Sequence, residues 1–334
     1  MPSKNPLTTA TAKEYRIKYG KEMPNLKLAR IMYNENKALF NSVEHARSLL
    51  RSAEGQLGKQ SRNKRKDNAL FTNAPRPKNP YNLPTSDKET FPNYIIKGHK
   101  KGLILNDIHF PYQDNEALTA ALNYAKKEKP DFIFLNGDII DVHSLSYFMK
   151  DPRKKRFSEE LKLLADFIET LYKQFKCKIY FKFGNHEERY DSFLFQKAHE
   201  LLGVEEFSLE AIIKKRIPKV EIIGVRRTVV IAGLPFIHGH EFGRGMMAPV
   251  NAARGLFLQA KHSAVKGDCH TTSEHVEKDI MDKMMTTWSV GCLCGLTPYF
   301  AVKNKWNHGF AMIDIGGDRK YKFRNFRIFN GEVL

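Results

Sequence analysis

The sequence has few cysteines and no long apolar run. Its four cysteines, Cys177, Cys269, Cys292 and Cys294, are too few for a disulfide framework, and no two of them form a Cys-x-x-Cys pair. We predict reduced thiols, although Cys292 and Cys294 could be read as an extra metal pair. No window approaches the roughly 18 consecutive apolar residues of a membrane span, and the N-terminus lacks the apolar centre of a secretory signal. These absences predict a soluble cytoplasmic protein without a membrane partner.

Acidic residues are also scarce. The chain has 37 Asp and Glu against 55 Lys and Arg, a formal net charge of +18. The first 100 residues contain 20 Lys and Arg against 8 Asp and Glu, so they carry +12 of this charge. Such a surface favours a polyanion such as nucleic acid as the partner, and a merely soluble basic surface is the alternative. With 334 residues, the chain can form one large α/β domain plus a small appendage, or two ordinary domains.

The N-terminal part has helical patterns. Residues 25–40 place apolar side chains on one face, and a second helix is predicted to begin at Asn41 as its cap, with Glu44 three residues later. Arg47 and Arg51 fall one turn apart on the polar side of that helix, as in a helix that contacts phosphates. The pair of helices matches either a helix-turn-helix or a small packing module with solvated charges.

Residues 61–95 combine a basic cluster with five prolines, which indicates a linker that is too polar and too rich in proline to pack. The candidate nucleic-acid ligands in this cluster are Arg62, Lys64, Arg65 and Lys66. We therefore predict a basic helical module over 1–60, a linker over 61–95 and a larger domain over 96–334.

Short apolar runs alternate with amphipathic stretches in the larger domain. The runs are 102–106, 132–136, 178–183, 220–224, 228–232 and 235–239. Continuous apolar strands that alternate with helices predict a sheet covered on both faces, and therefore an α/β fold. The C-terminal part lacks long helices and adds further strands.

Polar groups stand at the ends of five predicted strands, four of the runs above and a further one at 262–266. In order, they contain Asp107 and His109; Asp138 and Asp141; Asn185, His186 and Arg189; His238 and His240; and Asp268 and His270. Active residues of such sheets collect beyond the carboxyl ends of the strands, so the repetition indicates one shared site. Carboxylate, imidazole and amide groups are ligands for Mn, Fe, Zn or similar divalent ions. Two such ions about 3.5–4 Å apart can share one carboxylate and activate a bridging water against a phosphorus centre.

The order Asp-x-His, Gly-Asp-x-x-Asp, Gly-Asn-His-Glu, His-Gly and Gly-x-x-His resembles the calcineurin-like metallophosphoesterase family over about residues 100–316. The closing segment is more loosely similar to the ends of phage and bacterial members. The resemblance implies a four-layer αββα sandwich, hydrolysis of phosphoric esters and a location in the cytoplasm of a bacterium or a phage-infected host. It also implies two divalent metal ions, for which Mn is our first choice, with Fe, Zn, Mg or Ni as alternatives.

The resemblance also assigns roles to individual positions. Asp107, His109 and His270 would hold the first metal, Asn185 and His238 the second, and Asp138 would bridge the two. His186 would lie beside the scissile phosphate, where it stabilises charge or protonates the leaving oxygen. Arg189 is either a phosphate contact or a structural salt bridge. Asp141 and His240 are candidates for residues that contact the metal ligands, but not the metals, and hold those ligands in orientation.

Two positions depart from patterns in the family. Val142 and His143 stand where the protein Ser/Thr phosphatases of the family have Arg-Gly, which argues against a protein phosphatase. Asp268 stands where the family usually has a histidine ligand of the second metal. A carboxylate can ligate there and would favour a harder ion such as Mn or Mg over Zn. His240 or His275 could fill the position instead.

These observations predict a phosphodiesterase that uses metal-activated water to hydrolyse nucleic acid, which the basic N-terminal module brings to the site. A phosphatase or phosphodiesterase for a small nucleotide is the alternative. From a different class, the protein could be an inactive phosphoesterase fold that binds nucleic acid, with Asp268 as the first sign of lost activity.

Overall fold

A computed structural model of the chain describes residues 6–57, 79, 81–148, 155–242, 250–317 and 320–334. Contacts divide the chain into two compact units, Met1–Lys88 and Glu89–Leu334. The predicted nucleic-acid ligands Arg62, Lys64, Arg65 and Lys66 lie outside the described residues, so their role stays a prediction.

The first unit is helical and has its own small core. It contains α1 (Pro6–Tyr19), α2 (Asn25–Glu35) and α3 (Val43–Ala53). The buried side chains that meet between these helices include Leu28, Met32, Phe40, Ala46 and Leu50. A buried ion pair between Arg16 and Glu54, with N and O 2.6 Å apart, joins α1 to the residue that follows α3.

Two predicted boundaries in this unit were wrong. Helix α2 ends at Glu35 rather than at Phe40, whose ring turns into the core. The cap of α3 is Ser42 rather than Asn41, because Ser42 Oγ accepts the backbone N–H of His45 at 3.0 Å. Asn41 lies one residue outside the helix, where its own N–H donates to His45 Nδ1.

The second unit consists of two sheets flanked by helices. Its strands are β1 (Tyr94–Ile96), β2 (Lys101–Leu105), β3 (Phe132–Asn136), β4 (Lys178–Lys182), β5 (Glu221–Ile223), β6 (Val229–Ile231), β7 (Leu234–Phe236), β8 (Ala264–Lys266), β9 (Ser273–Lys278), β10 (Met284–Ser289), β11 (His308–Gly317), β12 (Lys320–Phe329) and β13 (Glu332–Val333). Its helices are α4 (Asn115–Glu128), α5 (Phe157–Phe175), α6 (Glu188–Lys197), α7 (Leu209–Arg216) and α8 (Ala252–Ala260).

The order and direction of the strands determine where their carboxyl ends lie. One sheet has the order β13-β12-β11-β2-β3-β4-β5, and the other has the order β1-β6-β7-β8-β10-β9. Strands β2 to β5 run parallel to one another, and β7 runs parallel to β8. The carboxyl ends of β2, β3 and β4 therefore lie at one edge of the first sheet.

Alternating side chains of the central strands build two cores. Leu103 and Leu105 of β2 pack against the helices, whereas Ile104 between them packs against the second sheet. Each such side chain, when fully buried, stabilises the fold by roughly 1.5–3 kcal/mol. On the far side, Leu256 of α8 packs with Ala264 of β8. The layers are thus helices, sheet, sheet and helix, which confirms the predicted αββα sandwich. Among the described residues, the helices are too short or too polar to cross a bilayer.

Candidate metal centre

The five predicted polar groups follow strands that end at a common edge. Asp107 and His109 come after β2, and Asp138 comes after β3. The remaining members come after β4, β7 and β8: Asn185 and His186, His238, and Asp268 and His270. Because these strands run parallel and adjacent within each sheet, their loops bring residues that are far apart in sequence into contact.

The backbone turns sharply at these loops. The non-glycine residues with left-handed backbone include Asp107 (φ 53°), His109 (φ 54°), Asp138 (φ 53°), Asp268 (φ 59°) and His270 (φ 52°). This conformation is uncommon for residues with a Cβ and costs on the order of 1–3 kcal/mol at each position. Five of the seven predicted metal ligands have this conformation. The turns that direct these side chains towards the centre therefore lower the stability of the fold.

The residues predicted for the first metal form a tight, buried group. His270 Nε2 lies 3.4 Å from Asp107 Oδ1 and 3.2 Å from His109 Nε2. His109 Nε2 lies 3.9 Å from Asp107 Oδ1. One carboxylate oxygen and two imidazole nitrogens therefore converge on the same small volume.

The residues predicted for the second metal lie beside this group. His238 Nε2 is 3.1 Å from Asp138 Oδ2 and 3.9 Å from Asp268 Oδ1. The other ring nitrogen, Nδ1, lies 2.8 Å from the carbonyl oxygen of Asn136 and is placed to donate to it. This bond fixes the tautomer that leaves the Nε2 lone pair facing the carboxylates.

Several ligand atoms lack a well-formed hydrogen bond. Asp107 Oδ1, Asn185 Oδ1 and His238 Nε2 are buried and make no hydrogen bond of good geometry, although Asp138 Oδ2 lies 3.1 Å from His238 Nε2 and His270 Nε2 lies 3.4 Å from Asp107 Oδ1. A buried polar atom left in this state costs about 1–3 kcal/mol. Ligand atoms of Asp107, Asp138 and His238 also lie within 4.8 Å of one another. Divalent cations bound among Asp107, Asp138 and His238 would satisfy Asp107 Oδ1 and His238 Nε2, so this donor set fits the metals that the sequence predicts.

The electrostatics of the group point the same way. Burial lowers the pKa of His238, but the carboxylates of Asp138, Asp107 and Asp268 outweigh it and hold this pKa well above its usual range. Burial raises the pKa of Asp138, but the imidazoles of His186 and His238 outweigh it and hold this pKa well below its usual range. A field that keeps a proton on a buried imidazole would also attract a divalent cation in its place.

Asp268 lies where the second metal would need a further ligand. Its backbone N–H donates to Asp107 Oδ2 at 3.1 Å, and a third of its side chain is exposed. Of the two alternatives, His240 is close, with its ring centroid 5.6 Å from that of His238 and its Nδ1 buried without a hydrogen bond. His275 lies in β9, where its Nε2 is 3.0 Å from Glu277 Oε1.

Asp141 and His186 form a pair next to the ligands. Asp141 Oδ1 lies 2.9 Å from His186 Nδ1 and 3.2 Å from His109 Nδ1. Hydrogen bonds from these two imidazoles hold the pKa of Asp141 well below its usual range although burial opposes them. His186 Nε2 lies 3.7 Å from Asp138 Oδ2. Asp141 thus contacts one predicted ligand and the predicted catalytic histidine together.

Arg189 lies against the same pair. Its Nη1 donates to the carbonyl oxygen of Asp141 at 2.7 Å, and its Nη2 lies 2.8 Å from His186 Nε2. These contacts are of the structural kind that the sequence left open, and a contact with phosphate stays a prediction.

Glu187 is a site residue that the sequence analysis missed. Its buried carboxylate accepts the backbone N–H groups of Asp138, Ile139, Ile140 and Gly184 at 2.7–3.2 Å. It therefore fastens the loop after β3 to the loop after β4. The only signal in the sequence was its place in the Gly-Asn-His-Glu block, next to two residues with predicted roles.

The cysteines are all free, and Cys292 and Cys294 are buried. Cys294 Sγ lies 3.9 Å from His270 Nδ1, on the side of the ring away from Asp107. Ligand atoms of Cys294, His109 and His270 are close enough to hold an ion, and Cys292 is not part of that group. No pattern in the sequence indicates this contact of a thiol with a predicted ligand.

Comparison with known sequences decides the family. The sequence profile of the calcineurin-like phosphoesterases matches residues 101–280, more than half of the chain. The chain belongs to the calcineurin-like phosphoesterase family. It is also similar to the Gene 54 protein of Mycobacterium phage L5, with 23% identity over 233 residues that cover 65% of this chain and 90% of that protein.

Solved structures show distant similarities to this chain. Vacuolar Protein Sorting 29 from Cryptosporidium parvum matches with 14% identity and a TM-score of 0.40, over 71% of this chain and 95% of that one. A dimetal phosphatase from Danio rerio matches with 14% identity and a TM-score of 0.36, over 70% of this chain and 98% of that one.

Proposed function

We propose that this calcineurin-like phosphoesterase is a two-metal phosphodiesterase that hydrolyses nucleic acid. The observation that carries the proposal is the buried group of Asp107, Asp138 and His238, in which Asp107 Oδ1 and His238 Nε2 make no hydrogen bond of good geometry. His109 and His270 complete the first metal site, and Asp268 completes the second. Bound divalent ions would supply charge neutralisation on the phosphoryl oxygens and a more acidic water.

His186 is the residue that transfers a proton to the leaving oxygen. Its backbone N–H donates to Asp138 Oδ1 at 2.9 Å, which fixes the residue next to the bridging carboxylate. Asp141 holds its Nδ1, so Nε2 faces the centre, where it accepts from Arg189 Nη2 at 2.8 Å. Once a substrate phosphate draws Arg189 away and Nε2 takes up a proton from solvent, Nε2 can protonate the leaving oxygen. The guanidinium of Arg189 lies beside that nitrogen and adds positive charge where the leaving oxygen becomes negative.

The choice of nucleic acid rests on charge. The first 100 residues carry +12, and Arg47 and Arg51 lie one turn apart on α3. Arg47 makes an exposed pair with Glu44 at 3.4 Å, and such surface pairs are worth about 0–1 kcal/mol. Exchange of this weak pair for a phosphate therefore costs little.

The test of catalysis uses the full chain with Mn²⁺. We expect hydrolysis of bis-p-nitrophenyl phosphate and of an end-labelled oligonucleotide, loss of both in EDTA, and recovery of both when Mn²⁺ is restored in excess. Turnover of phosphomonoesters alone would favour the small-nucleotide phosphatase. No turnover with any divalent ion, together with retention on DNA, would favour the inactive binding protein.

The test of the basic module removes two charges from α3. Arg47→Ala combined with Arg51→Ala is expected to lower the salt concentration at which the protein leaves immobilised single-stranded DNA. Each lost phosphate contact should reduce the slope of log affinity against log salt by about 0.7. The matched control is Lys173→Ala combined with Lys214→Ala, two exposed cations on α5 and α7. An equal effect of the two double variants would contradict a role for α3.

A further inference from the structure

The segment between β10 and β11 carries exposed aromatic rings. We call residues 295–306 the aromatic loop. The side chains of Tyr299 and Phe300 are 95% and 82% exposed, and Trp306 follows them at the end of the loop. Single exposed rings are normal on protein surfaces, but two neighbouring rings beside a third form a patch, and such patches mark binding sites.

The aromatic loop leads directly to the metal centre. The ring of Trp306 packs edge-on against the ring of His270, with centroids 4.1 Å apart. The ring of Phe300 lies 6.2 Å from that of Trp306 in the same edge-on manner. Two ring contacts therefore join a predicted metal ligand to an open aromatic face in solvent.

The loop is held in shape by its own hydrogen bonds. Asn304 Nδ2 donates to the carbonyl oxygens of Leu296 and Ala301, both at 2.7 Å. At its end, the backbone N–H of Asn307 donates to the carbonyl oxygen of His270 at 2.9 Å. The rings are thus presented by an ordered loop, and a ligand that binds them loses less conformational entropy than it would on a loose one.

Exposed cations alternate with these rings in the sequence of the loop. Lys303 and Lys305 fall between Phe300 and Trp306 and are both exposed. Aromatic faces interspersed with cations are typical of surfaces for single-stranded nucleic acid, because bases stack on the rings while the cations follow the phosphates. Paired bases inside a duplex do not offer their faces in this way. Aromatic rings together with cations therefore favour single-stranded over double-stranded nucleic acid.

We propose that the aromatic loop stacks an unpaired nucleobase beside the metal centre, so that the substrate is single-stranded nucleic acid. The inference rests on the proposed phosphodiesterase function. Phe300 supplies the stacking face, Trp306 supports it against His270, and the loop lysines contact the neighbouring phosphates. Stacking of one base is worth about 1–3 kcal/mol, which is roughly a 5- to 150-fold effect on affinity.

The first experiment compares two chromogenic esters that differ only by a nucleoside: thymidine 5′-(p-nitrophenyl phosphate) and methyl p-nitrophenyl phosphate. With Mn²⁺, the wild-type ratio of kcat/KM should favour the thymidine ester. Phe300→Ala should lower this ratio about tenfold. Phe300→Trp should keep it, whereas Phe300→Leu, which is apolar but has no aromatic face, should lower it as Ala does. The control is Phe329→Ala, which removes a ring that is 67% exposed on β12.

An unchanged ratio in Phe300→Ala, or a full rescue by Phe300→Leu, would overturn the proposal. Failure of the wild type to hydrolyse either ester would instead reject the phosphodiesterase function.

The second experiment tests base stacking separately from the phosphodiesterase function, because it needs no catalysis. Fluorescence anisotropy in EDTA measures binding of the full chain to labelled oligo-thymidine and to a duplex of equal length. Phe300→Ala should weaken binding of the single strand about tenfold and leave binding of the duplex nearly unchanged. Equal losses of affinity for the single strand and the duplex, or no loss for either, would contradict base stacking on Phe300, whether or not the protein hydrolyses the esters.

Discussion

The two halves of the proposed metal centre differ in their candidate ligands. The first half offers one carboxylate and two buried imidazoles, from Asp107, His109 and His270. The second half offers Asp138, Asn185 and His238 together with Asp268, a carboxylate that is one-third exposed. Because carboxylates prefer harder ions than imidazoles do, the halves should differ in metal preference and in exchange rate. One substitution, at Asp268, is enough to create this asymmetry.

The largest effect is expected where the halves meet. Asp138→Asn removes the carboxylate that both would share, so Mn-dependent hydrolysis of bis-p-nitrophenyl phosphate should fall by at least about a thousandfold, equivalent to several kcal/mol. Elemental analysis should show weaker retention of both metals. Asn fills the same volume and can accept from the His186 N–H, so an unchanged melting temperature of the metal-free protein is the control. Wild-type activity in this variant would refute a shared carboxylate.

Asp268 tests the second half alone. Asp268→Ala should leave one tightly held metal per chain after dialysis, where the wild type keeps two, because only the second site loses a ligand. Asp268→His should keep two and shift preference from Mn²⁺ towards Zn²⁺, since imidazole suits the softer ion. The measurement is elemental analysis after loading with equal amounts of Mn²⁺ and Zn²⁺. If Asp268→Ala keeps both metals as tightly as the wild type, Asp268 is not a ligand.

The sequence predicts the members of both halves because their chemistry is local. The apolar runs before Asp107 and Asp138 each predict a buried strand, and the polar residue at the end of each run can be identified from the sequence alone. The parallel order of the strands then places the groups at one edge. Whether each residue ligates a metal stays a prediction.

What the sequence could not predict depends on contacts between distant segments. Glu187 looks like any charged residue at the start of a helix until the loop after β3 is placed above it. The short strand β1, whose Tyr94 lies in the predicted linker, exists only because β6 pairs with it in parallel. The cap of α3 is a local exception: Asn41 and Ser42 are both good cap residues, and the structure shows that Ser42 Oγ accepts the N–H of His45.

Asp141 tests the support of the first half. Asp141→Asn should lower kcat by about 10- to 100-fold, because the rings of His109 and His186 lose their charged partner. It should also weaken binding of the first metal rather than the second. Elemental analysis separates this from general damage, because a misfolded variant would lose both metals alike. Wild-type retention of both metals together with an unchanged kcat would contradict the orienting role.

The smallest effect on catalysis is expected behind that support, at Glu160, whose substitution should instead change how stability depends on pH. This buried side chain of α5 accepts the backbone N–H of Val142 at 2.6 Å, directly after Asp141. Burial raises the pKa of Glu160 to about 8 from an ordinary value of 4.5; the Val142 hydrogen bond opposes this shift, and the Asp141 carboxylate adds to it. Between these values the folded protein holds a proton that the unfolded chain releases, so stability falls as pH rises through this window.

Glu160→Gln keeps an acceptor for Val142 and removes the titration. In metal-free protein, the free energy of unfolding of the wild type should therefore decline relative to Glu160→Gln by up to about 1.4 kcal/mol per pH unit across the window. Urea unfolding at pH 5, 6, 7 and 8 measures the difference. Glu169→Gln, at an exposed position of the same helix, is the control and should run parallel to the wild type. If Glu160→Gln also runs parallel, the Glu160 carboxyl group is charged throughout, and the Asp141 loop tolerates a second buried negative charge beneath the first half of the centre.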